Sequence, residues 1–351
     1  MTAPSTLQQS ATSTRLVQFD GLRGLAALFV LLFHFSDIAG ETSLFSRGYL
    51  AVDFFFMLSG FVLVPVFEAG RGGTSPTGLL MGRVTRFWPL LALGALIGAL
   101  VHAADPRLPG TAGLLLAHLL LAPGGDPNLP LFPLNQAHWS LWCELLLNAL
   151  HLWILRKLGM RALLCTAALC WLFAAVLAFG HGSLDVGAGP TTLIAGLFRA
   201  TSAYAFGIVL RRSGAGQSAG AALPWWTAPA AMAVLMVAPP ALGVPARYAD
   251  PFVALLFIAI MACAAGARLP DKLVGPCQWL GALSFPLYAI HYPVLEVPKV
   301  LFAQPGEPAG LGLRLTALAA APALALLLAR SPLAAGLKLP RRAPSQLRHP
   351  A

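Results

Sequence analysis

The chain has 351 residues, of which 58% are hydrophobic and only 10% charged, whereas a soluble domain carries about 25% charged residues. That balance excludes a water-soluble enzyme and describes a polytopic membrane protein of apolar helices. The net charge of +10 does not point to nucleic acid, because the lysines and arginines are scattered through short loops, where they set topology.

Residues 1–14 are polar and rich in Ser and Thr, without a basic region leading into an apolar core. They read as a disordered cytoplasmic tail rather than a cleavable leader. Ten apolar segments of spanning or near-spanning length follow, at about 22–38, 49–67, 87–103, 138–156, 162–180, 191–210, 224–243, 250–267, 278–302 and 309–330. The piece Thr111–Ala122 is shorter and reads as an interfacial or re-entrant helix. With residues 1–21 placed inside, Arg47, Arg107, Arg247, Lys299 and Arg314 fall outside and Arg199 falls within a span. The other 17 of the 23 lysines and arginines are then inside. This bias predicts an all-α bundle of about ten spans with both termini cytoplasmic. The long external loop, about 104–137, is rich in Pro, Gly and Asn and is placed to shape an acceptor site. Residues 337–351 form a basic tail expected near anionic headgroups, so the chain divides into tail 1–14, membrane domain 15–336 and tail 337–351. The five cysteines, Cys143, Cys165, Cys170, Cys263 and Cys277, show no metal-like pairing, and neither a metal nor a disulfide framework is expected.

Ionisable groups inside membrane helices are costly and therefore functional candidates. The first is Arg23 with His34, eleven residues apart and roughly 16 Å along a helix. The second is Asp53, near the outer end of span two. The third is the pair Arg83 and Arg86, three apart on one helix face at the inner entrance of span three, where each guanidinium can fork onto a phosphate. The fourth is Glu144, in the outer part of span four. By depth alone, His34, Asp53 and Glu144 are expected to converge, with Arg23, Arg83 and Arg86 clustered at the inner face.

The Arg-x10-His spacing of Arg23 and His34 resembles membrane acyltransferase family 3. So do the run from Gly48 to Phe61 with its Val-Asp-x-Phe-Phe core, Arg83-x-x-Arg86, Ser140-Leu-x-x-Glu144, and the late segment Ser284-Phe-Pro-Leu-Tyr-Ala-Ile-His-Tyr-Pro293. The motifs run in that family's order from about residue 15 to 330. The resemblance implies an integral membrane enzyme, expected in a bacterial inner membrane. It would move an acyl group, commonly acetyl, from cytoplasmic acyl-CoA to a hydroxyl on a carbohydrate or lipid-linked glycan.

The residues suit that chemistry. Arg23, Arg83 and Arg86 are the expected holders of coenzyme A phosphates. His34 is the expected general base, with Glu144 or Asp53 orienting the imidazole as a carboxylate does in a catalytic triad. Ser59, Trp139 and Tyr288 are candidates for the oxyanion. His291 is either a second catalytic group or a helix-to-helix hydrogen bond. Transfer by direct attack and transfer through an acyl-histidine both fit. A transporter or flippase for an anionic or glycan substrate is the alternative, since charges at mid-membrane also mark transport pathways. The absence of an inverted repeat and the crowding of arginines on one face count against it.

Overall fold

The computed structural model describes residues 6–68, 74–103, 105, 108, 110–215, 223–304 and 307–336. Among these residues there are eleven α-helices and no strand. The helices are α1 (Thr6–Asp37), α2 (Ala51–Phe67), α3 (Pro76–Val101), α4 (Thr111–Leu119), α5 (His138–Trp153) and α6 (Met160–His181). They continue with α7 (Leu193–Arg212), α8 (Thr227–Ala241), α9 (Ala246–Gly266), α10 (Asp271–Phe302) and α11 (Leu311–Ala329).

The ten apolar segments correspond to α1–α3 and α5–α11. Eight of these helices are long and apolar enough to cross a bilayer. At 16 residues α5 and at 15 residues α8 fall short of the roughly 20 that a full crossing needs. Pro239 and Pro240 sit next to the end of α8, where a ring without an N–H stops helix propagation. The Thr111–Ala122 piece is a nine-residue helix, α4, too short to span. Helix α1 is already formed at Thr6, inside the segment expected as a tail; residues 1–5 and the basic segment 337–351 lie outside the described residues.

The bundle is built on two helix pairs. α1 runs against α10, which α3 and α11 also flank, and α2 runs against α7, which carries α6 on its other side. The second pair shows why small residues sit where they do. A Cβ on Gly60 would collide with the Tyr204 carbonyl oxygen, and one on Gly207 with the Met57 carbonyl oxygen. The two backbones therefore meet at a reciprocal glycine contact of the kind that lets membrane helices approach closely. Phe54, Phe56, Met57, Tyr204 and Phe257 fill the space beside it and are buried. By contrast Leu169, Leu172, Phe173, Val176 and Phe179 of α6 are exposed. A contiguous apolar face of that kind is a liability in water and the ordinary surface of a helix in lipid.

α10 is the most irregular helix, with Pro276, Pro286, Pro293 and Pro298 inside it. Proline lacks the N–H that would bond the carbonyl four residues back. Pro293 thus leaves the Ala289 carbonyl without its helical donor, and Asn135 Nδ2 donates to it at 2.8 Å. A break in one helix becomes a tie to the segment leading into α5.

Candidate active site

A cavity of about 360 Å³ opens among α1, α2, α3, α5 and α10. Arg23, Arg83 and Arg86, expected at one depth, line it together. Arg23 is held by α10: its Nε donates to Ser284 Oγ at 2.9 Å and its Nη2 to the Gly281 carbonyl at 2.7 Å. Arg83 Nη2 donates to Glu144 Oε1 at 2.6 Å, and its guanidinium stacks over Phe87 at 4.6 Å. Ser59 Oγ donates to the same Glu144 oxygen at 2.9 Å. Three guanidiniums against the carboxylates of Asp20 and Glu144, which also line the cavity, leave a cationic excess of the kind that holds phosphate. The upper wall is Tyr288, whose hydroxyl lies 2.6 Å from Ser140 Oγ.

Three residues beyond Tyr288 on α10 stands His291, nearly fully buried at 1% exposure. Its Nε2 lies 3.0 Å from Nδ1 of His34, which is half-buried on α1. The hydrogens of this pair follow from what surrounds it. His291 Nδ1 lies 2.9 Å from the Tyr288 carbonyl and 3.2 Å from that of Leu287. A carbonyl only accepts, so Nδ1 of His291 carries the hydrogen. In the neutral ring Nε2 is then the acceptor, and His34 must donate to it from Nδ1. That leaves the lone pair of His34 on Nε2. The Tyr292 ring meets the His34 ring edge-on at 5.1 Å, and its hydroxyl donates to Gln136 Oε1 at 2.8 Å.

The expected convergence of His34, Asp53 and Glu144 is corrected on two points. Glu144 is bonded to Arg83 and Ser59 in the arginine-lined cavity, not to the imidazole. Asp53 is paired with Arg199: Nε lies 2.8 Å from Oδ1 and Nη2 lies 2.9 Å from Oδ2. Arg199 also donates to the carbonyls of Leu184 and Tyr49, at 2.6 and 2.7 Å. This buried ion pair fastens α2 to α7 and to the loop before it. The physical reason is the arginine: a guanidinium buried in α7 needs a fully desolvated carboxylate beside it, and Asp53 is at the right depth. Among the oxyanion candidates, Ser59 and Tyr288 line the cavity. Trp139 instead packs against Phe56 and the glycines Gly187 and Gly196.

Sequence reasoning did not assign Arg199 or fix the role of His291. The signal for the second was present, since Pro286 and Pro293 bracket Tyr288 and His291 in a helix that is otherwise continuous.

The family model for acyltransferase family 3, described as "Acyltransferase domain", matches residues 16–330. "Protein 2 in picA locus" of Rhizobium radiobacter is 34% identical over 159 residues, which is 39% of this chain and 81% of that protein. "Acyltransferase MdmB" of Streptomyces mycarofaciens is 33% identical over 171 residues, 44% of this chain and 43% of that protein, so under half of its length is spanned. No solved structure matches. With a family match running from the start of the first apolar segment to the end of the last helix, the chain belongs to acyltransferase family 3 and is an integral membrane acyltransferase.

Proposed function

We propose that the protein transfers an acyl group, acetyl in the simplest case, from cytoplasmic acyl-CoA to a hydroxyl of a cell-envelope glycan or lipid-linked carbohydrate, in a bacterial inner membrane with both termini inside. The coenzyme's phosphates sit at Arg23, Arg83 and Arg86, and its pantetheine arm climbs the inner cavity past Tyr288. Glu144 holds Arg83 in place; Asp53 belongs to the scaffold. His34 is the general base. The acceptor oxygen attacks the thioester carbonyl while its proton passes to Nε2 of His34. The tetrahedral intermediate then collapses, the C–S bond breaks, and the leaving thiolate takes that proton back. His34 Nδ1–H donates to His291 throughout, so the imidazolium formed in the transition state is oriented and stabilised by a neutral imidazole in the place where a triad has a carboxylate. Direct attack needs no group beyond these.

The observation that carries this reading is the His34–His291 hydrogen bond, with the tautomer that the α10 carbonyls impose. The test is a deletion strain whose surface glycans are compared with those of its parent by mass and by base-labile ester content. Loss of ester, restored by the wild-type gene and not by His34→Gln, is expected. Identical glycans would remove the proposed acceptor class.

A further inference from the structure

A second cavity, of about 770 Å³, lies among the ends of α1, α3 and α10 and the start of α11. It begins one turn beyond the histidine pair. Phe35 of its wall follows His34 on α1 and Ile38 comes just past the end of that helix, and Leu295 follows His291 by four residues, roughly 6 Å along α10. The pair thus stands between the arginine-lined cavity and this one. The two cavities differ in chemistry. One side of the second is apolar, with Val101, Leu295, Pro298, Val300 and Leu301 on it, and its polar lining is Asp105, Lys299, Gln304, Glu307 and Arg314. Arg314 is already committed, donating to both Glu41 oxygens at 2.7 and 2.6 Å and stacking over Phe35 at 5.0 Å. Neighbouring Leu100, Leu301, Phe302 and Leu311 are more than half exposed, as side chains facing lipid are.

We propose that this cavity is the acceptor site and that it takes an amphipathic alcohol from the bilayer. The acceptor's apolar chain lies against the Val101–Leu301 wall, and its hydroxyl reaches the end nearest His34. The inference rests on the reading of His34 as the centre of acyl transfer. A free sugar would find partners at Asp105, Lys299, Gln304 and Glu307 but would leave the Val101–Leu301 wall uncovered, and a hydroxyl buried against that wall without a partner is costly. An alkyl or prenyl chain gains with each methylene buried there. A glycan on a lipid anchor and a free hydroxylated amphiphile share this chemistry.

The experiment is photo-crosslinking of the reconstituted protein with n-decyl β-glucoside carrying a terminal diazirine. Adducts are expected on the peptides containing Phe35–Gly40 and Leu295–Gln304. They should fall at least tenfold in Ala303→Trp and in Val300→Trp, which fill the cavity near its rim. Unmodified decyl glucoside should compete and methyl glucoside should not. Both tryptophan variants should lose acetyl transfer to decyl glucoside while binding acetyl-CoA as the wild type does. Adducts spread along the lipid-facing side of α6 and unchanged by either variant would overturn the site, and equal competition by methyl glucoside would overturn the amphiphile class. Cavity adducts together with wild-type turnover by His34→Gln would leave the amphiphile site standing and remove the proposed base, so the two failures read differently.

Discussion

His34 is held on one side by a group that cannot carry negative charge, and this sets how its neighbours respond to substitution. His291→Leu takes away the Nε2 acceptor of the His34 Nδ1–H, a hydrogen bond worth about 0.5–1.5 kcal/mol. His291→Gln still offers an amide oxygen there and should keep more of the turnover; equal rates in the two variants, measured on purified protein, would contradict an orienting role. If Arg83 holds a donor phosphate as proposed, Arg83→Ala removes a charge-assisted contact. It should raise KM for the donor, with a loss of about 1.5–3 kcal/mol, and leave KM for the acceptor unchanged. Asp53→Asn strands the Arg199 guanidinium, and breaking a buried pair costs about 3–5 kcal/mol. The loss should appear in thermal stability in detergent, with kcat per folded molecule intact. Arg23, Arg83, Arg86 and His34 were legible in the sequence because an ionisable group in an apolar helix is conspicuous by itself. The partners of Asp53 and Glu144 were not, because depth along a helix is written in one chain but helix neighbours are not: Arg199 lies 146 positions from Asp53.

Helices were legible wherever an apolar run was long, and α10 shows where that reading stops. Its four prolines predict breaks, yet the helix continues for 32 residues because carbonyls that lose their helical donor can be taken up from outside, as Asn135 takes that of Ala289. The glycine contact between α2 and α7 was also unread, since an apolar segment places Gly60 in a helix without naming the helix it will face. Gly60→Leu should separate those helices and lower the melting temperature, whereas a substitution at Gly113 on α4, where a Cβ meets open space, should not. α4 carries a pH-dependent element of its own. His118 is buried, its Nε2 accepts from the Leu134 N–H at 3.2 Å, and its Nδ1 has no partner among the described residues. Burial pushes its pKa from 6.5 down to about 4. A group depressed in this way favours the fold when neutral, so its contribution is complete above about pH 6.5 and is lost as pH falls from there toward 4. Protection factors for hydrogen exchange across residues 110–137, taken against the intrinsic rate at each pH, should fall over that window, and His118→Gln should flatten the dependence.

At the scale of the whole molecule, the proposed mechanism requires two faces with different tasks. The charge bias that orients the bundle makes a direct prediction. In a cysteine-free background, Thr42→Cys should react with an impermeant thiol reagent on intact cells, and Thr74→Cys should react only after the membrane is opened; the reverse pattern would invert the bundle and place the arginine cavity outside. The same two-sidedness separates donor binding from chemistry, because Arg23 and His34 lie roughly 16 Å apart along one helix. The most direct measurement therefore uses purified, reconstituted His34→Gln, with acetyl-CoA affinity read by calorimetry and acetyl transfer read on the same preparation. Donor affinity within twofold of wild type and transfer reduced by about 10²–10⁴ is the predicted result. Substantial transfer by His34→Gln at unchanged donor affinity would contradict the assignment of His34 as the base.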